Sequence, residues 1–161
     1  TLRSSGPAFC GPLTLAVRRR MPLQLSETLL PRLREAFPEQ RMELGPEAHI
    51  LATFYSPSPE VGALAIQDDG DEITIFLADR THFHIECSDE QKTEQERAED
   101  ITTQVLEFLT KLFADEIEFY GTGASGGCRE RQAKKRGFLS RLLLGGRSYV
   151  WSSPLAQSGD A

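Results

Sequence analysis

A chain of 161 residues, 39% hydrophobic and 26% charged, has the size and make-up of one ordinary globular domain. No apolar run approaches the ~20 residues that a bilayer-crossing helix needs, and three cysteines without C-x-x-C spacing argue against a disulfide scaffold or a zinc knuckle. The net charge of -6 is unevenly spread: four arginines and no acid in residues 1–20, seven Lys/Arg against twenty-two Asp/Glu in residues 21–120, and seven against two in residues 121–161.

Residues 1–20 end in Arg18-Arg19-Arg20 before Met21 and place a weakly apolar stretch ahead of the charge, the reverse of a secretory signal. They read as a disordered or non-native leader, with a matrix-targeting leader as the alternative. Cys10, Cys87 and Cys128, an odd number, point to reduced thiols and a cytoplasmic setting. The acidic core domain is then expected over 21–120, and a Gly-rich linker with a basic, apolar C-terminal segment over 121–161. That segment either docks on the core or meets a partner.

Residues 26–37 predict a short amphipathic helix. Thr28 caps it, Pro31 falls in its first turn, Leu29, Leu30, Leu33 and Phe37 form its stripe, and Pro38 stops it. A β-rich run follows over 49–55. Asp69-Gly70 then supplies the positive φ of a two-residue hairpin turn, which would pair Ile66 with Ile73 and Leu64 with Ile75. A link through 79–81 would add Phe83, opposite Leu77, together with Ile85 and Cys87 to the same inward face. His82, His84 and Glu86 alternate with them and look outward. The segment 88–91 has the form of a capping box opening a long helix, with Ala98, Ile101, Val105, Phe108, Leu109, Leu112 and Phe113 at helical spacing. Residues 116–120 alternate as another strand, and 147–151 read as an edge strand. This order predicts a two-layer α+β fold, an antiparallel β-meander of about four to six strands covered on one face by the long helix, with a short N-terminal helix.

Three groups carry candidate chemistry. His82, His84 and Glu86 project from one strand face, where two imidazoles and a carboxylate suit a metal ion, although the same alternation marks any half-solvated strand. Gly121-x-Gly123-x-x-Gly126 matches a phosphate-binding loop in form. With Arg129, Arg131, Lys134 and Lys135 it offers anion or nucleic-acid contacts, Gly123 and Gly126 letting the anion approach the backbone; the competing reading is a flexible linker into a basic helix running to residue 144. Cys128, beside Arg129 and Arg131, would be thiolate-prone at a helix start, although an incidental surface thiol is the favoured reading. No motif implies a cofactor. The sequence favours a non-enzymatic accessory module that binds another protein through the outward sheet face, with Phe76, His82, His84 and Glu86 as contacts. The alternatives are a metal-dependent enzyme or binder at His82, His84 and Glu86, and phosphate or nucleic-acid binding through the basic segment.

Overall fold

The computed structural model describes residues 25–45, 49–78, 80–121, 126–131 and 148–154; the proposed leader lies outside them. In chain order the elements are α1 (Leu25–Ala36), β1 (Met42–Leu44), β2 (Ile50–Tyr55), β3 (Ala63–Asp68), β4 (Glu72–Leu77), β5 (Thr81–Glu86), α2 (Glu94–Phe113), β6 (Ile117–Gly121), β7 (Gly126–Glu130), β8 (Ser148–Val150) and β9 (Ser153–Pro154). The fold is α+β. Strands β1 to β5 form an antiparallel meander in chain order, and a second antiparallel sheet runs β7-β6-β8-β9.

The central hairpin turns one residue later than an Asp69-Gly70 tip predicts. Asp68 pairs with Ile73, Ile66 with Ile75 and Leu64 with Leu77, and the Asp69 N–H donates to the Glu72 carbonyl at 3.1 Å, which leaves Gly70 and Asp71 at the tip. Gly70 supplies the expected positive φ of +96°. The β4–β5 pairing slips in the opposite sense, with Ile75 opposite Phe83 and Ile73 opposite Ile85. Both slips are two residues. Side chains alternate with a period of two, so an even slip preserves which face is buried while changing every cross-strand partner. Leu64, Ile66, Ile73, Ile75, Leu77, Ile85 and Cys87 are accordingly all buried. A bulge between Ile50 and Ala52 in β2 lets Leu51 and Ala52 both enter the interior. The short edge strand β1, opposite residues 52–54, has no counterpart in the sequence reading.

Helix α1 begins at Leu25, so Thr28 lies within it rather than capping it, and Pro31 sits in the helix interior. Leu25, Leu29 and Leu33 are fully buried. Helix α2 starts later than the 88–91 segment implies. Thr93 is its N-cap, its side chain accepting from the Glu96 N–H at 3.3 Å while the Glu96 carboxylate accepts from the Thr93 N–H at 2.8 Å. Ala98, Ile101, Val105, Leu109 and Leu112 bury themselves against the inward face of the meander in one continuous core. At its other end Asp115 takes a left-handed φ of +59°. The Asp115 N–H reaches the Leu112 carbonyl and the Glu116 N–H the Lys111 carbonyl, a Schellman closure made without glycine.

The second sheet corrects the linker-and-helix reading at residues 126–130. Gly126–Glu130 is a strand paired antiparallel with β6, from Ile117 opposite Glu130 to Gly121 opposite Gly126. Strand β8 lies on the other side of β6, Tyr149 opposite Phe119, and β9 continues beyond it. Tyr149, Val150 and Trp151 are 3%, 2% and 2% exposed, and the Trp151 ring sits 5.2 Å from that of Phe113. The Asp115 carboxylate accepts from the backbone N–H and the hydroxyl of Ser152, tying the β8–β9 turn to the end of α2. Residues 132–147, the bulk of the expected basic helix, lie outside the described residues. No helix among the described residues is long and apolar enough to cross a membrane.

Candidate functional site

The meander's outward face is built by alternation. A cross-strand row runs Thr53, Ala65, Phe76, His82, and a second runs Gln67, Thr74, His84. Thr53, Ala63, Ala65 and Phe76 are half-buried and His82, His84 and Glu86 exposed, as expected for a face that the core does not use. The Phe76 ring lies 5.7 Å from that of His82, which in turn meets His84 edge-on at 5.5 Å. At the β1–β2 edge Tyr55 donates to Glu43 at 2.9 Å, and the Arg41 guanidinium stacks 4.6 Å from the Tyr55 ring.

His82, His84 and Glu86 share this face, yet the donor atoms that converge are different ones. One atom each from Asp69, Glu72 and His84 lies within 4.8 Å of the others, and among the described residues these are the only three such donors so grouped. His84 Nδ1 is 3.0 Å from Glu72 Oε1 and 2.9 Å from the Thr74 hydroxyl. Thr74, only 2% exposed, donates in turn to Asp69 Oδ2 at 2.5 Å. That polarity requires a proton on His84 Nδ1, shared between the Thr74 oxygen and the Glu72 carboxylate. The Thr74 hydroxyl, and next the Gln67 amide at 2.6 Å, holds the Asp69 carboxyl below the usual carboxylate range, with His84 and His49 adding positive charge nearby. Asp68, facing the other way, is pushed up by burial although its Oδ1 accepts from the Gly70 N–H.

His82 and Glu86 stand outside this cluster. Glu86 sits directly opposite Glu72, a like-charge pair that costs stability. The slipped register explains why sequence reading chose the wrong neighbours. It set His84 against Phe76; the actual partner is Thr74, and the acids that read only as turn residues come within its reach.

The basic-segment candidates fare differently. Gly126 belongs to β7, so the glycine-rich loop joins two strands and has no helix N-terminus to present to a phosphate. The Arg129 guanidinium is 3.4 Å from the buried carboxylate of Glu118 and 5.2 Å from the Tyr120 ring, and Arg131 donates to the Asp115 carbonyl at 3.2 Å. Both cations thus have partners within the fold. Gly123, Lys134 and Lys135 lie outside the described residues. Cys128 sits mid-strand, and burial pushes its thiol up, opposite to the thiolate activation a helix start would give. No protein-family model matches the sequence, and no curated protein or solved structure matches it either.

Proposed function

We propose that the chain is an accessory module that docks another polypeptide on the outward face of its five-stranded sheet. The observation that supports this reading is the row Thr53–Ala65–Phe76–His82. Small residues on the inner strands leave a shallow strip, an aromatic ring rises at one side, and Phe76 takes no part in the core that both helices cover. Glu43 stands opposite Thr53 at one end of the strip, and residues 21–120 carry fifteen more acidic than basic side chains. A basic segment with an apolar anchor is the complementary ligand, because burying an aromatic anchor supplies affinity while opposite charge guides encounter.

The test is capture of the partner at low salt, followed by titration of the purified partner into wild type, Ala65→Arg and Phe76→Glu. A stoichiometric complex that weakens with salt and loses about tenfold or more in affinity with either substitution is expected. Absence of any stoichiometric partner, or unchanged affinity in both variants with their folds intact by circular dichroism, overturns the proposal.

A further inference from the structure

We propose that Asp69, Glu72 and His84 form a binding site for a divalent metal ion of the zinc class. Three features of the fold bring this about. The β4–β5 ladder sets His84 opposite Thr74 and one step from Glu72, and the closed turn returns Asp69 to the same spot. Asp69 is held from both sides, its two oxygens accepting from Gln67 and Thr74. The donors therefore come from rigid backbone, the turn and two paired strands, and do not depend on a long loop.

The distances suit the ion. Zinc bonds of about 2.0–2.1 Å in tetrahedral array keep ligand atoms roughly 3.3 Å apart. His84 Nδ1 and Glu72 Oε1 are already at 3.0 Å, and with all three donors within 4.8 Å, rotamer adjustments of the two exposed members, Asp69 and His84, close the set. Three protein ligands leave one position open for water or a fourth donor.

The charge suits it as well. Asp69, Asp71, Glu72 and Glu86 crowd one corner of the sheet, and among the described residues no lysine or arginine forms an ion pair with any of them. A divalent ion at Nδ1, with the ring proton carried on Nε2 instead, neutralises both ligating carboxylates at once. The imidazole sets this apart from a simple acidic patch: a nitrogen donor favours zinc, cobalt or nickel over calcium and magnesium, which prefer all-oxygen shells.

The experiment titrates chelator-treated full-length protein with cobalt(II), read by its visible ligand-field absorption, and then displaces the cobalt with zinc. Wild type should saturate at one equivalent, with magnesium and calcium failing to compete. Asp69→Asn and His84→Gln should each weaken binding at least tenfold, while His82→Ala and Glu86→Gln leave it unchanged, every variant keeping the wild-type circular dichroism spectrum. Lack of saturable one-equivalent binding overturns the proposal. So does equal competition by magnesium, or a loss in His82→Ala as large as that in Asp69→Asn, which would return the site to the strand-face triad.

Discussion

Truncating Trp151 to alanine tests whether the C-terminal strands are part of the core. The indole is 2% exposed, packs 5.2 Å from Phe113, and through it joins Phe54 at 5.2 Å and Phe37 at 5.0 Å. Removing a buried Trp or Phe side chain costs about 3–5 kcal/mol. One contribution runs the other way. Trp151 Nε1 is buried with no hydrogen-bond partner among the described residues, and an unsatisfied buried donor costs roughly 1–3 kcal/mol that the alanine variant recovers. Setting the middle of the two ranges against each other, the net expectation is about 2 kcal/mol, or ~6 °C in Tm at about 3 °C per kcal/mol for a domain of this size. Trp151→Phe keeps a ring against Phe113 and sheds the orphaned donor, so it should cost clearly less, ~1.5 kcal/mol or under. Because the chain has a single tryptophan, all three proteins are compared by urea unfolding followed in the far ultraviolet rather than by fluorescence. If Trp151→Ala lies within about 0.5 kcal/mol of wild type, as a surface substitution would, the packing of β8 and β9 against α2 is wrong.

Gly126→Ala separates a strand from a linker. A Cβ there would stand 2.3 Å from the Arg80 carbonyl oxygen and 2.8 Å from that of Tyr120, so a loss of about 1–3 kcal/mol in urea unfolding is expected, whereas a linker glycine would tolerate the change. Asp69 supplies a pH test. Its lowered pKa means that the folded state favours the carboxylate, a contribution fully present above the unfolded value of about 3.9 and lost as pH falls through the lower folded value. Thr74→Val removes the main cause, so its destabilisation should shrink as the pH is taken from 7 to below that folded value; a constant difference across the titration refutes the assignment.

The inward-outward pattern of β3, β4 and β5 was legible because it depends only on parity. Asp69-Gly70 located the turn but not its centre, and a tip at Gly70-Asp71, one residue later, moved every β3–β4 partner by two while leaving each face intact. Function is sensitive to what parity ignores. Which residue lies opposite His84 decides whether the imidazole meets a ring or a hydroxyl flanked by two carboxylates. The start of α2 was misplaced because two capping sequences stand five residues apart, and only the box at Thr93 is used. The second sheet was harder still. Its strand β7 reads as glycines followed by charges, without apolar alternation, and is held by the β6 ladder, the Arg129–Glu118 pair and the contact between Lys111 and Glu130. Strand β1 pairs only three residues and carries the exposed Leu44, a pattern too short to register.

Strand β8 lies beside β6, although some thirty residues separate them along the chain. A polypeptide emerging from the ribosome in order can assemble the meander and lay α2 across it well before residues 148–154 appear. Until then β6 is paired along β7 only, and the Phe37–Phe54–Phe113 cluster is open on the side that Trp151 later covers. Maturation of the interior thus waits on a long-range closure, the slow kind of step in folding, and a nascent chain stalled before that point presents aromatic surface to whatever is near.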